Sequence, residues 1–194
     1  MSFYDMDIKL TQVLSWMQST IESNIKGEIW ECGIHHGATA RWIGFHLSMT
    51  PGPRVYRLFD TFCGRTETSP QDGQCNPMRF DNTSVEAVAR RVPWPFAKFH
   101  VGPVPKTFAG LEESRIAFAY VDLDLYQPTK DALDFIVPRL AHNGIILVDD
   151  FTAVNVWPGV QVAVHEIAQK YDHLFFSLAE AQACLFKNPY EEKA

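Results

Sequence analysis

Ile116-Ala117-Phe118-Ala119-Tyr120-Val121-Asp122-Leu123-Asp124 is the stretch whose reading decides the fold. An apolar run without polar alternation suits a strand covered on both faces, as in a parallel sheet. Charge then appears abruptly at its carboxyl end. Gly144-Ile145-Ile146-Leu147-Val148 ends the same way, in Asp149-Asp150. Open α/β sheets bind their ligands outside the carboxyl ends of the strands. Acidic pairs delivered there by two strands would repel one another unless a cation or shared protons compensated. The pattern therefore points to a hard-metal centre of the Mg²⁺ type, built from oxygen ligands. Asp122, Asp149 and Asp150 are the expected ligands, with Asp124 as an outer-sphere or substrate contact. The simpler role, helix capping by Asp124 and Asp150, would account for one acid of each pair and not for the doublets.

Working outward, strand-like runs alternate with helical spacing. Leu10, Val13, Leu14, Met17 and Ile21 predict a helix over Asp7 to Ser23, which Gly27 stops before a first strand at Glu28 to Cys32. A second helix is expected from Ala38 to Met49, ended by Pro51-Gly52-Pro53. Val55 to Phe59 and Lys98 to Val101 read as the second and third strands, and the two acid-terminated runs as the fourth and fifth. Further helices are expected around Ser84 to Arg91, Thr129 to Val137 and Val160 to Tyr171. Leu174 to Leu178 and Ala183 to Phe186 close the chain as two strands, antiparallel because their connection is short. This order defines an α/β fold, a doubly wound and mostly parallel sheet with one reversed strand. The irregular stretch from Cys63 to Asp81 is long for a compact domain, and residues 63–81 are read as a lid over the site.

Composition fits one domain spanning residues 1–194, with an amino-terminal helix within 1–26. The chain has 194 residues, is 46% hydrophobic and carries a net charge of -6, enough for one sizeable core. Arg90-Arg91 is the one basic doublet, so no cationic patch is available for a nucleic-acid partner. The sequence holds no apolar run long enough to span a membrane and no basic-then-apolar leader, so a cytoplasmic protein is expected. Cysteines 32, 63, 75 and 184 form no metal-type pair; Cys63 and Cys75 flank the irregular loop and could meet.

Two further constellations lie beside the acids. Glu31-Cys32-Gly33-Ile34-His35-His36-Gly37-Ala38-Thr39 joins the first strand to the next helix. Gly33 and Gly37 permit close backbone approach, and the helix start offers free N–H groups to an anion. A plain strand-to-helix turn is the alternative, since the spacing departs from the dinucleotide pattern. Asp60, in Phe59-Asp60-Thr61-Phe62, ends the second strand where a carboxylate can accept from ribose hydroxyls, or can cap a helix. His35 and His36 lie in the glycine turn, within reach of a cofactor or substrate there. Trp94 and Trp157 are candidates for an aromatic wall or for loop anchors.

In order and spacing, Glu-x-Gly-Ile-x-x-Gly-Ala-Thr, Leu-Phe-Asp-Thr-Phe, Val-Asp-Leu-Asp-Leu-Tyr-Gln-Pro-Thr, Asn-Gly-Ile-Ile-Leu-Val-Asp-Asp-Phe and Gly-Val-Gln-Val-Ala-Val resemble the macrocin O-methyltransferase family, from about Gly27 to Lys187. The resemblance implies a Rossmann-like, seven-stranded methyltransferase sheet with helices on both faces. It also implies a methyl transfer dependent on S-adenosylmethionine and Mg²⁺, to a hydroxyl of a small-molecule acceptor such as a natural-product sugar. Carried over by motif, Glu31 and Gly33 would lie beside the methionine part of the cofactor. Asp60, Thr61 and Phe62 would lie beside its ribose and adenine, and Ser84 near the adenine. Asp122, Asp149 and Asp150 match the metal ligands, with Asp122 also the base. His35-His36 departs from the aromatic and basic residues that relatives often carry there, which bears on contacts to the cofactor carboxylate. The resemblance leaves the acceptor open and is compatible with a homo-oligomer.

Two other classes remain in view. Asp122-Leu123-Asp124 after an apolar strand also looks like the nucleophile motif of Mg²⁺-dependent haloacid-dehalogenase-type phosphatases, although there it lies near the amino terminus. A non-catalytic cofactor-binding module is the other, and crowded carboxylates argue against it.

Overall fold

The computed structural model describes residues 8–52, 54–64, 67–74, 80–172 and 174–186. In chain order its main elements are α1 (Ile8–Glu22), β1 (Glu28–Cys32), α2 (Ala38–Ser48), β2 (Tyr56–Asp60), α3 (Val85–Arg91), β3 (Ala97–Val101), β4 (Ile116–Val121), α4 (Tyr126–Ile136), β5 (Leu140–Val148), α5 (Pro158–Lys170), β6 (Leu174–Ser177) and β7 (Ala183–Phe186). The strands form one sheet in the order β3-β2-β1-β4-β5-β7-β6. β1 to β5 pair in parallel, and β7 inserts antiparallel between β5 and β6. The single reversed strand is thus the one the short terminal connection predicts.

Side chains alternating along the strands build a core on each face. Trp30, Phe59, Ala119, Val121, Ile146 and Val148 pack with residues of α4 and α5. Ile29, Tyr56, Leu58, Phe118, Tyr120 and Leu147 pack with α1, α2 and α3. Every residue of β4 is buried, which is why its sequence shows no polar alternation. A fully buried side chain such as Phe118 contributes about 2 kcal/mol of transfer free energy, so the central strand is fixed in place before any ligand is considered.

β5 begins earlier than the sequence suggests. Asn143-Gly144 reads as a turn, yet the strand runs from Leu140 and accommodates Asn143 at φ 61° as an irregularity, the pairing jumping from Ile116–Leu140 to Phe118–Ile145. A left-handed Asn ends a strand only when the chain reverses; here it produces a bulge and the strand resumes. The winding changes direction between β1 and β4, which places the loops after those strands at the switch point where such sheets bind ligands.

Candidate active site

At the β1–β2 end the glycine turn is held by Asp60. Its Oδ2 accepts from the backbone N–H groups of Ile34 (2.6 Å) and His35 (2.8 Å), and its Oδ1 from that of Phe62 (2.7 Å). Three N–H donors on one carboxylate fix the turn and leave acceptor capacity on Oδ1. Gly33 is required for a reason other than ligand approach. At φ 92° a Cβ there would lie 1.7 Å from the carbonyl oxygen of Asp122, so the glycine lets the ends of β1 and β4 meet. Gly37 gives the same room to Val88 of α3, whose Cγ1 would lie 2.7 Å from a Cβ. Beneath the turn, Tyr56 donates its hydroxyl to the buried Glu31 carboxyl. Burial pushes Glu31 up to about 8, the Tyr56 bond opposing and the Asp60 charge adding to the rise.

At the β4–β5 end the acids converge. Asp122, Asp124 and Asp150 each offer an oxygen within 4.8 Å of the others. The cluster is all carboxylate, a donor set suited to a hard divalent ion. Asp124 (φ 62°) and Asp150 (φ 59°) adopt left-handed backbone, which Asp tolerates and which turns their side chains where a regular strand exit would not. Neither is the N-cap residue of a helix, which is Leu125 for α4 and Trp157 for α5. Asp149 is differently engaged. Its Oδ2 accepts from Tyr120 Oη (3.0 Å) and from Lys9 Nζ (3.0 Å), and the same ammonium donates to Asp150 Oδ1 (3.2 Å). Burial, then the charges of Asp149, Asp124 and Asp150, hold Asp122 well above the usual carboxylate range, with Lys9 opposing. Asp149 is raised by burial and by Asp150, opposed by Lys9 and Tyr120.

Both ends face one cavity of about 510 Å³, lined by Glu31, Gly33, His35, Asp60 and Thr61 from one side and by the four aspartates from the other. Lys9, Phe80, Val104, Leu123 and Trp157 complete its wall. Three residues matched to the cofactor do not line it. Phe62 is in the core on the α1–α3 side, Gly37 packs on Val88, and Ser84 caps α3, its Oγ accepting from Ala87 N–H (3.2 Å). Trp157 does line the cavity, 6.4 Å from Phe80 between ring centres. Trp94 does not: it packs on Gly44 in α2 and beside Phe96. His35 Nε2 lies 2.9 Å from Asn82 Oδ1, and its ring lies tilted against that of His36, 3.9 Å between centres.

Residues 65–66 and 75–79 of the expected lid, and with them Cys75 of the Cys63–Cys75 pairing, lie outside the described residues. Within the described part Pro70–Asp72 forms a short 3-10 turn, and the buried Asp72 accepts from Ser69 N–H and from Tyr126 N–H (each 2.7 Å). Asp72 therefore supplies the cap that α4 lacks locally, and ties this loop to the acidic turn.

Lys9, Tyr120 and Asp72 escape the sequence reading. Two of them carry a signal. Tyr120 is two residues before Asp122 on a strand and so shares its face. Lys9 precedes Val13 and Met17 by four and eight residues, on the buried stripe of α1. Asp72, a lone acid in a loop, carries none.

The fold and the placement of this cavity define a Rossmann-like methyltransferase. Solved structures of the same fold include the O-methyltransferase NovP (21% identity, TM-score 0.75, covering 93% of this chain and 79% of that one) and the calicheamicin methyltransferase CalS11 (25% identity, TM-score 0.73, covering 91% and 79%). The family model described as Macrocin-O-methyltransferase (TylF) matches residues 7–173, and the chain belongs to that family. A curated relative, the 8-demethyl-8-(2,3-dimethoxy-alpha-L-rhamnosyl)-tetracenomycin-C 4'-O-methyltransferase of Streptomyces olivaceus, is 34% identical over 74 residues, which cover 38% of this chain and 27% of that protein. No helix among the described residues is long and apolar enough to cross a membrane.

Proposed function

We propose that the protein is an O-methyltransferase that uses S-adenosylmethionine and Mg²⁺ to methylate a hydroxyl of a small molecule, a sugar or another natural-product diol or catechol. The observation that carries this reading is that the capped glycine turn and the carboxylate cluster face one cavity across the β1–β4 switch point. The names of relatives favour a glycosyl acceptor: one is a 4'-O-methyltransferase of a rhamnosyl compound, and CalS11 is described as a TDP-rhamnose 3'-O-methyltransferase.

In this reading Glu31, Gly33 and His35 hold the methionine part of the donor, and Asp60 and Thr61 its ribose. Phe62, Gly37 and Ser84 act from behind, by shaping the turn and α3. Asp122, Asp149 and Asp150 would hold the metal ion, with Asp124, which reaches within 4.8 Å of Asp122 and Asp150, as an outer-sphere or substrate contact. When bound, S-adenosylmethionine supplies an electrophilic methyl group and Mg²⁺ the Lewis acidity that lowers the pKa of the acceptor hydroxyl. Asp122 accepts the hydroxyl proton, and a group fixed at a strand end is well placed to do so without reorganising. Phe80, Val104, Leu123 and Trp157 exclude water and align the carbon face of the acceptor.

Calorimetric titration of S-adenosylmethionine and of Mg²⁺ into the full chain, followed by methyl transfer to a panel of sugar and catechol acceptors, tests the reading. Binding of both, with metal-dependent methylation, is the expected result. Metal-dependent phosphate-ester turnover without affinity for the methyl donor would replace it with the phosphatase reading.

A further inference from the structure

Lys9 stands where helix electrostatics disfavours it. It is the second residue of α1, a helix with no acidic residue in its first turn, and a cation there opposes the helix dipole. It is also on the stripe of α1 that continues into Val13 and Met17, both fully buried against the sheet. That packing fixes the helix, so the direction of the Lys9 side chain is set by the core. The stripe passes the end of the sheet at Lys9, and Nζ there reaches 3.0 Å from Asp149 and 3.2 Å from Asp150. Asp150 belongs at the same time to the three-carboxylate cluster. One ammonium group therefore occupies a carboxylate that the proposed metal ion also needs.

We infer that Lys9 is a tethered counter-cation, which gathers Asp149 and Asp150 in the metal-free protein and competes with the divalent ion for them. The inference rests on the metal-centre reading above and deepens it. The ammonium keeps the acids from repelling one another while no ion is bound. A divalent ion on Asp150 would then sit close to a like charge, which weakens its binding until the lysine swings away. Metal uptake is thereby coupled to release of the Lys9 side chain from the acids.

The test uses Mn²⁺ alone, without methyl donor, titrated into the full chain and followed by electron paramagnetic resonance of the free ion. Lys9→Met should bind Mn²⁺ about tenfold tighter than the unaltered protein, because a competing charge has gone. Lys9→Arg should stay near the unaltered affinity. A Lys9→Met protein that binds Mn²⁺ equally well or more weakly would make Lys9 a plain anchor and overturn the inference. A second measurement needs no variant: acetylation of Lys9, followed by mass spectrometry against the exposed Lys106 as internal reference, should speed up when Mn²⁺ is added. Unchanged or slower labelling in the presence of bound Mn²⁺ overturns the coupling while leaving the metal centre intact. Absence of any Mn²⁺ binding by the unaltered protein overturns both.

Discussion

At the β1–β2 end of the cavity negative charge is met by the chain's own backbone, while at the β4–β5 end it is met by a lysine and a tyrosine from other elements. Asp60 takes three N–H groups from residues within the turns it joins. The aspartates after β4 and β5 have instead been brought together by two strands, and burial together with mutual repulsion raises Asp122 and Asp149. The first half is preorganised and the second is held under electrostatic load. Preorganised donors suit binding of a cofactor that arrives and leaves unchanged in shape; a loaded carboxylate cluster suits a cation and proton transfer.

The sharpest way to break this contrast is at the loaded half. Asp122→Asn should lower kcat for methyl transfer about 10³-fold, the range expected for removal of a positioned base. Calorimetric affinity for S-adenosylmethionine should remain unchanged, since the residues proposed to hold the donor belong to the other half. A comparable loss in donor affinity would show that the halves do not act separately.

The next largest effect is expected where the halves touch. Gly33→Ala should destabilise the protein by about 3 kcal/mol in urea unfolding, the cost of a severe backbone clash at a left-handed position. Because the obstructing atom is the Asp122 carbonyl oxygen, Mn²⁺ affinity should fall as well. If stability dropped while metal binding held, the turn after β1 would not position the acids after β4.

Most of the sheet was legible because β4 and the end of β5 are buried on both faces, and continuous apolar runs report that directly. The antiparallel pairing of β6 and β7 followed from loop length, while the insertion of β7 between β5 and β6 did not. The bulge at Asn143 was not legible, since an Asn-Gly pair reads identically in a hairpin and in a strand that resumes. In the site, the doublets announced a crowding of carboxylates because repulsion is a property of residue type and spacing. Which acids converge was decided by φ at Asp124 and Asp150, and pattern does not encode that choice. Asp60 and Gly33 line the cavity, yet their partners are backbone atoms of the protein itself, contacts that only tertiary structure can assign. Asp72 shows the limit most plainly: its partner Tyr126 is 54 residues away.

The smallest effect sharpens the comparison from the preorganised side. Glu31, the buried acid of that half, has its pKa raised to about 8 by burial. A folded-state pKa above the ordinary 4.5 means that the folded protein binds the proton more tightly than the unfolded chain. Stability from this group is thus complete below pH 4.5 and is lost as pH rises through about 8. Near pH 4 the side chain is neutral in the folded and largely neutral in the unfolded state, and Glu31→Gln is close to isosteric. The variant should therefore unfold within about 0.5 kcal/mol of the unaltered protein at pH 4. Above pH 8 it should become the more stable of the two, since glutamine has no charge to desolvate. Urea unfolding of both proteins without metal or methyl donor, at pH 4 and pH 9, reads the difference directly, and the contributions of Asp122 and Asp149 cancel between them. Equal destabilisation at both pH values would mean that Glu31 is ionised in the folded protein, and the β1–β2 half would then carry an electrostatic load of its own.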